Sequence, residues 1–169
     1  MLNAAKGMKT EITIRKGGGN KKFLRIVEFV NAALVSLPSE GRIKERLLPL
    51  LSKNKDDLGG AWQDGDELRN LLGKNSGHRY DIYNWDKKVA VEIEESEAKY
   101  LWKDFIKLSV GARKRRVEHA ILICPMYYKG QGMKRQGSFY SSAISISNFM
   151  ADFLWMKNLA IIGYDKYEE

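Results

Sequence analysis

The chain has a single cysteine, three prolines and two histidines among its 169 residues. One cysteine permits no internal disulfide, and Cys124 sits in an apolar, strand-like run, so a buried inert thiol is expected. No apolar run approaches bilayer length; Ala120 to Cys124 is typical, which excludes a membrane-spanning chain from the expectation. The segment from Met1 to Ile12 lacks the apolar core of an export signal, and a cytoplasmic protein is expected. There is no internal repeat and no low-complexity tract. The glycine-rich stretch from Lys16 to Lys22 is not followed by Gly-Lys-Ser/Thr, so it is a basic turn and not a nucleotide-phosphate loop. Neither His78 nor His119 has metal-ligand spacing; His119 reads as structural, and His78 lies in a turn before Asp81.

What the chain has is charge of one sign in excess, with a formal net charge of +8, and apolar content of 44%, enough for a packed core. The excess is uneven. Residues 1–60 carry 12 basic and 6 acidic side chains. Glu92, Glu94, Glu95 and Glu97 then form an acidic cluster without an intervening base, followed by Lys99, Lys103, Lys107 and Arg113 to Arg116 with only Asp104 opposed. An acidic cluster beside a basic run is what a metal-assisted enzyme acting on a polyanion needs.

Apolar spacing predicts a helix from Lys21 to Leu37, stopped by Pro38, and a second from Gly41 to Lys53, with Pro49 kinking or shortening it. Asp64 or Asp66 is placed as the cap of a short helix through Leu72. Two strands, Arg79–Tyr83 and Lys88–Glu94, form a hairpin around residues 84–87. Ser96 to Ala112 reads as a helix with Ala98, Leu101, Phe105, Leu108 and Ala112 on its apolar side and Lys99, Lys103 and Lys107 opposite. A buried strand from Val117 to Pro125, a basic loop from Tyr127 to Gly137, a helix from Ser138 to Leu154 and a last strand from Leu159 to Tyr164 complete the reading. The expected fold class is α/β (mixed α+β), a central mixed sheet containing the hairpin, flanked by helices. One domain is expected over 1–169, with a helical N-terminal part at 1–60 and a core at 61–165.

Side chains two apart on a strand share a face, so Glu92 and Glu94 project together, and the hairpin lays Asp81 opposite position 91 or 92. Three carboxylates in one patch repel unless a hard cation neutralises them. Two carboxylates, a backbone carbonyl such as that of Ile93 and waters suit Mg²⁺, leaving the third carboxylate to orient or deprotonate a water. The alternative reading of the same spacing is the wet face of an amphipathic edge strand.

Asp81, ten intervening residues and Glu92-Ile93-Glu94, preceded by the apolar run Val89 to Val91, together resemble the active-site hairpin of the PD-(D/E)xK nucleases. Tyr80 stands where that family has proline, and Glu94 where most members have lysine. Glu-x-Glu at this place resembles the BamHI branch of the type II restriction endonucleases, close to the BglII branch. Lys107-Leu108 in the following helix, Ala120 to Pro125 and Ile161 to Gly163 extend the resemblance over about residues 78–165. It implies a restriction-endonuclease-like core and a homodimer that cuts both strands of a short palindromic DNA site with Mg²⁺. Asp81 and Glu92 would be the metal ligands and Glu94 the candidate base. The family's acidic residue on the preceding helix falls on Glu67, with Asp66 and Asp64 as alternatives.

Ser96, Lys99 and Lys103 lie just after the carboxylates and are placed on the phosphate backbone; a solvated helix face is the bland alternative. Lys134 and Arg135, in the loop that also holds Lys129, Gln131 and Gln136, are the candidates for base readout, since arginine and glutamine pair with guanine and adenine edges. Trp102 and Ile106 flank the apolar stripe and mark a dimer seam if exposed. Two other functions fit the same residues: a structure-specific nuclease such as a junction resolvase or nickase, and a DNA-binding module that has lost turnover.

Overall fold

The computed structural model describes residues 8–38, 41–53, 58, 61–65, 79–129 and 135–165, with the side chains of 128, 129 and 135–137 left aside. In chain order these form β1 (Lys9–Lys16), α1 (Lys21–Val35), α2 (Ile43–Lys53), β2 (Trp62–Asp64), β3 (Ile82–Asn84), β4 (Val89–Ile93), a 3-10 turn (Ala98–Tyr100), α3 (Leu101–Arg113), β5 (His119–Pro125), β6 (Tyr127–Lys129), β7 (Arg135–Ser138), α4 (Phe139–Phe149) and β8 (Asn158–Asp165). Six strands make one sheet in the order β1-β8-β5-β4-β3-β2, and β6 and β7 make a separate antiparallel pair. The central strands β4, β5 and β8 are parallel, whereas β1, β3 and β2 extend the sheet antiparallel at its two sides. The expected mixed sheet with flanking helices is present.

Alternation along the central strands builds two cores. Ala90, Ala120, Leu122, Cys124, Leu159 and Ile161 face one way, against Leu101, Phe105 and Leu108 of α3 and Phe139, Tyr140 and Ala143 of α4. Val89, Val91, Ile121, Ile123, Ala160 and Ile162 face the other way, against Phe23, Ile26, Val30 and Leu34 of α1 and Ile43, Leu47 and Leu51 of α2. A parallel strand covered on both faces must be apolar at every position, and β5 is buried along almost its whole length. Cys124 is part of that core, and burial raises its thiol pKa, in keeping with an inert side chain.

Several elements differ from the sequence expectation. The N-terminal part is not purely helical: Lys9–Lys16 is a strand paired with β8, its Thr10-Ile12 and Thr13-Ile14 pairs supplying β-branched side chains to a half-exposed edge. Pro49 lies inside α2 and does not shorten it; it is exposed there, and Leu47 and Leu51 on either side bury the packed face. Trp62–Asp64 is a short strand on β3, a 3-10 turn opens at Gly65 directly after Asp64, and the rest of the helix expected through Leu72, with Asp66, lies outside the described residues. The expected loop at 127–137 contains the β6–β7 pair. α4 is shorter than expected: it starts with Ser138 accepting from the Ser141 N–H at 3.0 Å and stops at Phe149, with turns beyond. Among the described residues no helix is long and apolar enough to cross a membrane.

Candidate active site

The hairpin forms with the register expected. Ile82 pairs with Val91 and Asn84 with Val89, closed by a turn in which the Lys87 N–H donates to Asn84 Oδ1 at 3.0 Å and Lys88 adopts positive φ. Asp81 stands at the bend just before β3. Its backbone carbonyl accepts from the Gly65 N–H at 3.2 Å, and its Oδ2 accepts from the Ile93 N–H at 2.8 Å. Gly65 is required by this approach, because a Cβ there would sit 1.3 Å from the Tyr80 carbonyl oxygen. The Asp81 carboxylate is thus held across the hairpin against the end of β4.

Glu92 and Glu94 both lie on the α3 side of β4, and both act electrostatically on Asp104 or are acted on by it. Glu92 is completely buried. Its Oε2 lies 2.6 Å from Lys107 Nζ, which also reaches Asp104 Oδ1 at 3.1 Å and donates to the Arg79 carbonyl at 3.1 Å. Glu92 Oε1 is buried and has no hydrogen-bond partner among the described residues. Burial pushes the Glu92 carboxyl well above its ordinary value, against the pull of Lys107, and Asp81 and Asp104 push it further. Burial also raises Asp104. For Lys107 burial works against the charge, but Glu92 and Asp104 outweigh it and its pKa is raised. The lysine is therefore the fixed charge of the group, and the carboxyls beside it are short of positive charge.

Lys107 is the largest correction to the sequence reading. Helical spacing puts it with Lys99 and Lys103 opposite the apolar face of α3, yet its side chain is only 9% exposed while theirs are in solvent. The useful signal was Asp104-x-x-Lys107, an i, i+3 ion pair on the buried side of a helix, which places both groups over β4. A reciprocal pair of bonds fixes the helix to the hairpin: Tyr80 Oη donates to the Lys107 carbonyl at 3.2 Å, and Lys107 Nζ donates to the carbonyl of Arg79. Gly111 makes room for the phenol, since a Cβ there would lie 1.9 Å from Tyr80 Oη.

Glu94 is buried at the exit of β4, and its Oε1 accepts from both the N–H and the hydroxyl of Ser96. Ser96, Lys99 and Lys103 are exposed, and the two lysines lie over the Tyr100 ring at 5.1 and 5.2 Å, with Lys99 also paired to Glu97 at 2.8 Å. Glu67, Asp66, His78 and Lys134 lie outside the described residues; Arg135 is described only as backbone of β7. Asp64, at the end of β2, faces Lys44 of α2 at 3.2 Å, and Lys44 also approaches Asp81 Oδ1 at 3.7 Å. Nothing in the sequence pattern singled out Lys44.

The structure thus brings Asp81 to the end of β4 beside Glu92 and sets Glu94 just past the end of that strand. Among the described residues no three His, Cys, Asp or Glu side chains converge as an all-protein metal cage would require. Mg²⁺ needs less than a cage, since one or two carboxylates with waters suffice. The orphaned Glu92 Oε1 is a buried oxygen of the hard kind that such an ion takes, so the donor set fits it.

A mixed sheet of this order, helices on both faces and a carboxylate-bearing hairpin at the ends of its parallel strands define a restriction-endonuclease-like α/β fold. The model of a family described as "Putative halobacteria restriction endonuclease" matches residues 59–164, more than half of the chain, and the chain belongs to that family. Comparison with curated proteins and comparison with solved structures each gave no match.

Proposed function

We propose that this chain is a Mg²⁺-dependent endonuclease that hydrolyses both strands of duplex DNA at a specific site, acting as a homodimer of single nuclease domains. Membership of a restriction endonuclease family supports the nuclease class. The observation that carries the reading to particular residues is the buried Lys107–Glu92 pair at 2.6 Å, one strand position from the Asp81-bound Ile93. The PD-(D/E)xK pattern asks for an aspartate, a glutamate and a lysine. The strand position for that lysine holds Glu94, which favoured a module without turnover; α3 supplies an ammonium to the same acid from outside the hairpin.

In this reading Asp81, Glu92 and the Ile93 carbonyl hold Mg²⁺, and Glu67 stands as a further acid from the segment before the hairpin. The bound ion supplies Lewis-acid polarisation of the phosphodiester and a more acidic water. Lys107 stays charged and stabilises negative charge gathering on the phosphate. Glu94, oriented by Ser96, accepts the proton of the attacking water, the role that the Glu-x-Glu arrangement of the BamHI branch gives it. Lys99 and Lys103 with Ser96 meet the phosphate backbone, and Lys134 and Arg135 reach the bases.

The dimer is supported by an exposed apolar stripe. Trp102, Ile106 and Val110 repeat at four-residue spacing on α3, and the exposed Phe149 at the end of α4, with Phe153 and Trp155 beyond it, continues the stripe. Trp102 and Phe149 meet edge to face at 5.6 Å, and Arg113 lies over the Trp155 ring at 5.3 Å. A run of large apolar groups in solvent is the pattern of an interface core, and the expectation for Trp102 and Ile106 is extended by it.

The test is incubation of the purified protein with plasmid DNA and Mg²⁺, with the ends of the products sequenced. Fixed ends within a short palindrome are expected. Absence of cleavage across divalent ions and salt concentrations contradicts the enzyme reading, and preference for branched over linear duplexes moves it to a junction resolvase or nickase.

A further inference from the structure

The N-terminal helix α2 is not only a cover for the sheet. It is docked at the carboxylate end of β4 by Glu95, whose Oε2 accepts from the Ile43 N–H at 3.2 Å, at the first turn of α2, while its Oε1 accepts from Tyr164 Oη at 3.1 Å on β8. The next residue, Lys44, reaches over the sheet edge to Asp64 Oδ1 at 3.2 Å and Asp81 Oδ1 at 3.7 Å. The other Asp81 oxygen is already taken by the Ile93 N–H. The Lys44 ammonium thus approaches the Asp81 oxygen that the Ile93 N–H does not engage. Lys44 is 30% exposed, so its flexible stem can swing into solvent without breaking the core contacts of Ile43 and Leu47.

We propose that Lys44 is the internal counter-ion of the candidate metal pocket, competing with the divalent cation for Asp81 and leaving that carboxylate when the cation enters. The inference rests on the assignment of Asp81 as a ligand and adds to it a residue that lies outside the matched segment 59–164. Two cations sharing one carboxylate oxygen repel, so each weakens the other's hold by the same factor. Without a cation, Lys44 balances Asp64 and Asp81, which would otherwise face each other as like charges across β2 and β3. With one, the displaced ammonium is left at the rim of the pocket.

The experiment is calorimetric titration of Mn²⁺ into the full-length protein without DNA, so that no turnover is needed. Lys44→Gln should bind Mn²⁺ about fivefold more tightly or better, in the range of ordinary coupling energies. Lys44→Arg should behave as the unaltered chain, and Lys53→Gln, which removes the same charge from the exposed far end of α2, should leave the affinity unchanged. An affinity unaltered in Lys44→Gln, or raised equally in Lys53→Gln, overturns the counter-ion role. Asp81→Asn separates this from the site itself: binding lost in Asp81→Asn but indifferent to Lys44 overturns the counter-ion alone. Binding that survives Asp81→Asn, or no binding to the unaltered chain, overturns the metal site and the counter-ion together.

Discussion

Lys107 Nζ and Glu92 Oε2 lie 2.6 Å apart, one on α3 and the other on β4, and the lysine is 9% exposed while the acid is fully buried. A buried ion pair of this kind is weak evidence of stability in itself, because desolvation offsets most of the attraction. Breaking it from one side is a different matter.

Lys107→Met leaves Glu92 and Asp104 facing each other in the core, and should lower the unfolding free energy by about 3 kcal/mol at neutral pH. Glu92→Gln with Lys107→Met should cost less than the sum of the two single changes, because the uncompensated charge is gone. A urea-denaturation cycle on the four proteins measures this. Strict additivity contradicts the pairing.

Gly111 should not tolerate a side chain while Tyr80 keeps its hydroxyl. The added Cβ would meet Tyr80 Oη at 1.9 Å and Val117 Cγ2 at 2.7 Å, so Gly111→Ala should cost about 1–3 kcal/mol. Tyr80→Phe removes the nearer of these atoms and should recover part of that loss in the double variant, read by thermal unfolding.

The expected fold was legible where local chemistry and tertiary demand agree. Helical apolar spacing from Lys21 locates α1, Pro38 follows its end, and the alternation around the 85–88 turn sets the hairpin register. The misses have separate physical causes. β1 is an edge strand whose outward residues are charged, so its alternation was weak beside the glycines that follow. β2 has only three residues, too few for any period. Lys107 lies opposite the apolar stripe of α3 and so reads as a surface lysine; Asp104 on its own helix, with Glu92 and the carbonyl of Arg79 brought to it by the sheet, makes its burial tolerable. Asp81 and Glu92 could be read because a hairpin is local, whereas Lys44 could not, since it reaches Asp81 from the far side of the chain.

His119 gives a pH dependence distinct from that of the carboxylates. Its ring is buried and stacks on Phe23 at 5.4 Å, neither nitrogen has a partner among the described residues, and burial with Lys22 nearby lowers its pKa, only partly opposed by Glu118. The unfolded chain then binds a proton that the folded one resists. Its contribution is fully present above the ordinary value of 6.5 and is lost as pH falls from there through the lowered folded value. One proton limits the slope to about 1.4 kcal/mol per pH unit. Urea midpoints between pH 7.5 and 5.5 should fall in the unaltered chain and flatten in His119→Leu.

The apolar stripe predicts a specific loss. Ile106→Glu with Phe153→Glu places charges on two exposed positions and should leave the fold intact, because neither side chain belongs to the core. Sedimentation equilibrium should report half the mass of the unaltered protein, and DNA cleavage should fall or turn to single-strand nicking. A dimer unaffected by both changes contradicts the assignment of this face.

The proposed phosphodiester hydrolysis depends above all on the buried carboxyl of Glu92. Glu92→Gln keeps the shape and can still accept from Lys107, so the protein should fold and bind duplex DNA. Its cleavage rate with Mg²⁺, measured beside the unaltered chain on the same plasmid, is the most direct test. A fall of about a hundredfold or more with DNA binding retained is the predicted result. Cleavage at an undiminished rate would contradict the account.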